Sequence, residues 1–168
     1  ETGVPLRWDD KQNVLWKTPI PGKGHSSPIV WGDRLFVTSC DEKAQTRLLL
    51  CIDRTDGKVL WQREVIRSPL ERKNDLNSCA SSTPATDGRY VWATFFQAAD
   101  KTVQVVCYDL EGKEVWRKSP GQHLSVHGYC SSPLPYKDTV ILNADQDAVA
   151  YIVAFDKATG AERWRIDR

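Results

Sequence analysis

Three histidines and five cysteines are the residues of this 168-residue chain whose types invite chemistry. Gln122-His123-Leu124-Ser125-Val126-His127 sets two imidazoles four residues apart, a spacing that on a helix turns both toward one zinc ion. The glutamate of a His-Glu-x-x-His site is missing and the context reads as loop running into strand. Hydrogen bonding to loop backbone is therefore the expected role of the pair, and of His25, which also precedes a strand. Asn143-Ala144-Asp145-Gln146-Asp147 alternates acidic and polar residues as a calcium loop does, but the glycine and distal glutamate of that motif do not follow. A surface hairpin turn is expected there. No catalytic residue and no metal ligand set is assigned.

The cysteines read mainly as structure. Cys51 and Cys107 fall in equivalent slots of apolar strands, where cysteine behaves as a small buried hydrophobe. Cys79 and Cys130 stand near the starts of strands in neighbouring units, so a bridge between them is conceivable, and Cys40 near a hairpin end is left open. An odd count leaves at least one thiol without a partner in the chain. For binding, the candidates are Glu71, Arg72, Lys73 and Asp75 in the charged connection Ser68–Asn77, and His123 and His127 in the connection Ser119–Tyr129. Long connections on a rigid scaffold are where binding concentrates.

What positions these residues is a unit written about three and a half times. The first full unit runs Ser26-Ser27-Pro28, Leu48-Leu49-Leu50-Cys51-Ile52-Asp53, then Gly57-Lys58-Val59-Leu60-Trp61. The second has Ser82-Thr83-Pro84, Val105-Val106-Cys107-Tyr108-Asp109 and Gly112-Lys113-Glu114-Val115-Trp116. The third has Ser131-Ser132-Pro133, Ile152-Val153-Ala154-Phe155-Asp156 and Gly160-Ala161-Glu162-Arg163-Trp164. Proline to aspartate is 25, 25 and 23 residues, and glycine to tryptophan is four in every unit. A repeat of about 45–55 residues is the signature of propeller blades.

Each recurring slot has a mechanical reason. Proline supplies no N–H and suits the first residue of an innermost strand. Nearly continuous apolar runs mark the middle strands, as in a sheet covered on both faces. Aspartate and glycine make a tight turn, the carboxylate accepting turn N–H groups and glycine supplying positive φ. The second turn is one residue shorter, which predicts a different turn type. Tryptophan then sits on the outermost strand, expected to cover the seam between adjacent blades, with roughly 2–3 kcal/mol from its burial. The fold expected is all-β: four-stranded antiparallel blades over 25–64, 80–118 and 130–168, preceded by one outer strand of an incomplete blade over 12–18, the whole chain 1–168 forming a partial propeller.

The Ser-Ser-Pro opening and the Asp-x-x-Thr-Gly-x-x-x-Trp ending, seen best in Asp156 to Trp164, resemble the pyrroloquinoline quinone-type propeller repeat over residues 12 to 168. That resemblance implies the fold, and it implies an extracytoplasmic setting, periplasmic or secreted, of bacterial type. It does not select a cofactor, because the family holds quinone-dependent alcohol and sugar dehydrogenases as well as non-catalytic propellers similar to the barrel-assembly lipoprotein of bacterial outer membranes. The first two units carry Cys51 and Cys107 where the best-known form of the repeat has alanine.

Length and composition bound the rest. Propellers close with four to eight blades, so three blades imply either a segment of a longer chain or copies that complete a ring; the absence of methionine agrees with a segment. A net charge of +1 argues against a nucleic-acid surface, and no apolar run approaches the roughly 20 residues of a membrane span. The reading favoured is a non-catalytic scaffold binding a protein or peptide, with no cofactor expected. The alternative is a fragment of a pyrroloquinoline quinone-dependent dehydrogenase, which would need the quinone with calcium although the chain has no adjacent cysteine pair. A further alternative is the sensing ectodomain of a signalling protein.

Overall fold

In the computed structural model residues 3–9, 11–147 and 149–168 are described, and they contain twelve strands and no helix. Three four-stranded sheets follow one another. The first is β1 (Ile29–Trp31), β2 (Arg34–Asp41), β3 (Thr46–Asp53) and β4 (Val59–Arg67); the second is β5 (Ala85–Thr86), β6 (Tyr90–Gln97), β7 (Thr102–Asp109) and β8 (Glu114–Lys118). The third is β9 (Leu134–Tyr136), β10 (Thr139–Ala144), β11 (Tyr151–Asp156) and β12 (Glu162–Asp167). Each is an antiparallel meander in sequence order. The sheets are propeller blades, and the chain is a partial propeller of about three. The first blade runs on to Arg67, three residues past its expected end.

Burial follows the sequence pattern. Thr46–Arg47–Leu48–Leu49–Leu50–Cys51–Ile52 of β3 is buried throughout, and β7 nearly so, because both faces of each middle strand are covered. Phe36, Leu49 and Cys51 pack with Val91, Ala93, Phe95 and Val106 in one core between the first two blades. Val105, Cys107 and Trp116 pack with Val140, Leu142, Val153 and Phe155 in a second core between the next two. Burying a side chain of this size stabilises by roughly 1.5–3 kcal/mol, so the seams hold the blades together.

The prolines stand where a missing N–H is harmless. Pro28, Pro84 and Pro133 immediately precede β1, β5 and β9, which neighbour one another around the axis. The hydroxyl residues beside them link one blade to the next: Ser27 N–H donates to Thr83 Oγ1 at 3.0 Å and Thr83 N–H to Ser132 Oγ at 2.9 Å. Thr38 and Thr94, buried on β2 and β6, donate to the carbonyls of Ser82 (3.0 Å) and Ser131 (2.8 Å) in the following blade.

At the rim the recurring turn and the tryptophan form one device. Asp53 Oδ1, Asp109 Oδ1 and Asp156 Oδ1 accept turn N–H groups, and each turn glycine donates back to its own aspartate carbonyl at 2.9–3.0 Å. That bond spans four residues in the first and third turns but three in the second, so the second turn is indeed a different type. A register shift falls at the same point of every blade, at Cys51/Ile52, Cys107/Tyr108 and Ala154/Phe155. Asp156 is held well below the usual carboxylate range, first by Arg163 and then by the Thr159 N–H.

Each indole reaches forward into the next turn. Trp16 Nε1 donates to Arg54 O (2.9 Å), Trp61 Nε1 to Leu110 O (2.9 Å) and Trp116 Nε1 to Lys157 O (2.8 Å). The rings lie so close over Gly57, Gly112 and Gly160 that a Cβ there would meet them at 2.6–2.7 Å. At Gly112 a φ of 78° adds a second reason why only glycine fits.

Two expectations are corrected at the ends. Residues 12–18 do not form an outer strand: Gln12 makes an isolated bridge to Asp9 and 14–18 join no sheet, since no third strand of that blade lies beside them among the described residues. Trp16 docks on its turn all the same. Trp164 covers no seam and is 40% exposed, because no further sheet among the described residues presents a turn to it.

Candidate functional site

The connections that run from one blade to the next gather on the face that also carries the β2–β3, β6–β7 and β10–β11 hairpins. The backbone requires this: the outermost strand of each blade ends at that face, and the chain must cross it to reach the next innermost strand. The two long connections expected to bind partners meet there. Asn74 N–H and Asn77 Nδ2 both donate to His127 O, at 3.3 and 2.8 Å. Gly128 sits so tightly against them that a Cβ would meet Lys73 Cβ at 2.8 Å.

The second connection is tied equally on its other side. Asp147 N–H donates to Leu124 O at 3.0 Å and Gln146 Nε2 to Gln122 O at 3.0 Å, while Gln146 Oε1 accepts the Leu124 N–H at 2.5 Å. The segment 143–147 is thus a surface hairpin end, with Asp145 paired to Arg168 at 2.7 Å. Three segments form one continuous surface. Leu76 (89% exposed), Leu124, Val126 and Val149 stand out from it among Arg72, Asp75 and His127. Two hollows flank His123: one of about 300 Å³ bordered by Leu70, Arg72, Phe96 and Val126, the other of about 390 Å³ bordered by Gly121, Gln146, Tyr151 and Arg165.

Of the residues proposed for partner contact, Arg72, Asp75 and His127 are exposed and Lys73 is half-buried. Glu71 and His123 are corrected: both are interior. Glu71 turns inward to Arg47, whose side chain is wholly buried, with an N–O distance of 2.5 Å. Arg47 also donates to Ser68 O (2.5 Å) and Pro69 O (3.0 Å), so the pair clamps the start of the connection onto β3. His123 packs edge-on against Phe96 (5.7 Å between centroids) and Tyr129 (5.2 Å). Its two ring nitrogens have no partner among the described residues, and burial drives its pKa down despite the opposing pull of Asp147. The charged connection therefore contains one buried acid, and the signal for it lay outside the connection, in the lone arginine beside the apolar run of β3.

The cysteine assignments divide in the same way. Cys51 and Cys107 are buried core thiols, Cys51 pushed up to about 11 by burial and Cys107 further still. All five cysteines are free. Cys79 is buried whereas Cys130 is exposed, and Cys79 shares the first core with Cys40. Among the described residues no group of three or more His, Cys, Asp or Glu is arranged to hold a metal ion.

This fold and its Asp–Gly–Trp rim define a pyrroloquinoline quinone-like propeller. The PQQ_2 family model, described as outer membrane protein assembly factor BamB, matches residues 6–95 and 51–168, and the chain belongs to that family. No curated protein matches its sequence. Among solved structures it is similar to a quinohemoprotein alcohol dehydrogenase from Pseudomonas putida, with 18% identity and a TM-score of 0.68 over 92% of this chain and 22% of that one. A europium-containing methanol dehydrogenase matches with 18% identity and a TM-score of 0.65 over 87% and 25%. BamB from Moraxella catarrhalis matches with 16% identity and a TM-score of 0.56 over 89% and 40%. The chain therefore spans well under half the length of each, and at these identities the likeness establishes the fold alone.

Proposed function

We propose that this chain is a non-catalytic, extracytoplasmic propeller segment that binds a protein or peptide partner through the face built from 68–77, 119–129, 143–147 and Val149. The observation that carries this is the three-segment surface itself: connections from different blades are hydrogen-bonded into one platform that leaves four large apolar side chains in solvent. Exposed apolar groups gathered on a rigid, polar-rimmed surface are what partner sites offer. The family's description as an assembly factor supports the reading, and so does its usual setting outside the cytoplasm. No helix of the described residues is long and apolar enough to cross a membrane.

The test is site-specific photo-crosslinking in the full-length protein. Probes at Arg72, Leu76 and Val126 are expected to trap one common partner, and probes at Lys58 and Lys113 on the opposite end of the blades to trap none. Equal labelling from both ends, or none from the platform, overturns the proposal. Reversing Arg72, Lys73 and Asp75 together with His127→Ala is expected to weaken capture at least tenfold, whereas Glu71 and His123 are excluded from this set because their loss would unfold the face.

The second reading, a segment of a quinone-dependent dehydrogenase, draws on the names of two structural neighbours. No group of three or more His, Cys, Asp or Glu among the described residues is arranged to hold a metal ion, and calcium sites also draw on amide and backbone carbonyl oxygens. Titrating the full-length protein with pyrroloquinoline quinone and calcium, while following dye-linked alcohol or sugar oxidation, separates the two: turnover supports the enzyme, and its absence supports the scaffold.

A further inference from the structure

Cys40 is the penultimate residue of β2 in the first blade, and Cys79 lies in the connection that enters the second. A short strap holds these two places together. Lys23 exchanges two backbone hydrogen bonds with Cys40, at 2.9 and 2.8 Å, and a few residues on the N–H groups of His25 and Ser26 both donate to Ala80 O at 3.1 Å. The two thiols are 1% and 5% exposed and share one core cluster, together with Ile66 and Ala80. Arg47, opposite Cys40 in the β2–β3 ladder, brings its buried guanidinium to the same spot.

We propose that Cys40 and Cys79 close to a disulfide that staples the end of β2 to the connection leading into the second blade. The oxidant is a small-molecule or protein disulfide. The thiolate of one cysteine attacks one of its sulfurs and expels one thiolate; the other cysteine then gives up its proton and attacks the first one's Sγ, expelling the second. Two protein thiols lose two electrons in all, and one external disulfide becomes two thiols. Either thiolate can attack first, because the environment that distinguishes the two sulfurs forms only in the folded chain. Because both sulfurs are buried, exchange takes place before the seam closes during folding. The crosslink encloses the whole of β3 and β4, a loop long enough for a large effect on the unfolded chain.

The experiment refolds the reduced full-length protein in a glutathione redox buffer, alkylates the remaining thiols under denaturing conditions and maps non-reduced peptides. The result expected is a Cys40–Cys79 linked pair with Cys51, Cys107 and Cys130 alkylated, and a Tm that falls on the order of 10 °C on reduction. Cys79→Ala is expected to remove the dependence on reductant, and Cys130→Ser to keep it. Alkylation of both Cys40 and Cys79 across the oxidising range, or a Cys79–Cys130 link, overturns the proposal. The wild-type map requires no variant to fold. Being done in vitro, it also fails or succeeds independently of the extracytoplasmic setting proposed above.

Discussion

At the rim, Trp61 and Trp116 meet the following blade by the same contacts: an indole N–H on a turn carbonyl and a ring over a positive-φ glycine. On the face, the connections that cross the same two seams enter alike and then diverge. Ser68 N–H bonds to Gln45 O and His123 N–H to Lys101 O, at 3.1 and 2.8 Å, from hairpin residues of matching positive φ. Beyond that point the first connection is anchored by a buried ion pair and a thiol pair, the second by a neutral imidazole between aromatic rings. The rim repeats because every blade must solve one geometric problem, the spacing to its neighbour. The face is free to differ because each connection needs only some anchor, which leaves its outer surface available for recognition.

The largest effect expected of a single change is at the first anchor. Glu71→Ala leaves Arg47 charged and buried without its acid, a loss of about 3–5 kcal/mol in urea unfolding. The double variant Arg47→Met/Glu71→Leu is expected to recover most of it, and failure to recover would mean that the pair is worth more than its burial costs.

Next comes the rim, where identical letters sit in unequal places. Trp116→Ala is expected to cost about 3–5 kcal/mol, and Trp164→Ala, at a ring already 40% exposed, about 1 kcal/mol or less. Equal losses would break the account of the docked indole. A smaller contrast separates two positive-φ glycines. Gly32→Ala at φ 56°, with open space around it, is expected to cost about 1–2 kcal/mol in backbone strain. Gly112→Ala is expected to add about 1–2 kcal/mol to that, because its Cβ meets the Trp61 ring.

The gentlest probe is pH. Burial holds His123 below its ordinary pKa of 6.5, so the unfolded chain takes up the proton first. The stability contributed by the neutral ring is complete above pH 6.5 and drains away as pH falls from there through the folded value. His123→Phe is expected to remove that part of the pH dependence while keeping the contacts with Phe96 and Tyr129. An unchanged slope between pH 7 and 5 would show that the folded ring takes up its proton as readily as the unfolded chain does.

The rim was legible in the sequence because its rules are local. Asp109, Gly112 and Trp116 lie within eight residues, and turn chemistry and strand alternation fix what each does. The Ser-Ser-Pro slots were half legible: the prolines announced the first strand, but the use of Ser27, Thr83 and Ser132 as steps from blade to blade depends on partners some fifty residues away. The anchors were not legible within their own segments. Nothing in Glu71-Arg72-Lys73-Asn74-Asp75 marks Glu71 as the buried member, because a carboxylate goes inside only where a desolvated guanidinium already waits.

By itself, then, the order of residues determined the blade: which segments pair, where each turn falls, and that an indole closes every unit. Those properties depend on neighbours in the chain and on hydrophobic periodicity, which any short stretch carries with it. The tertiary structure alone decided which thiol meets which, which charges are buried and which loops join into one platform, because contacts between blades arise only once strands far apart in the chain share a seam.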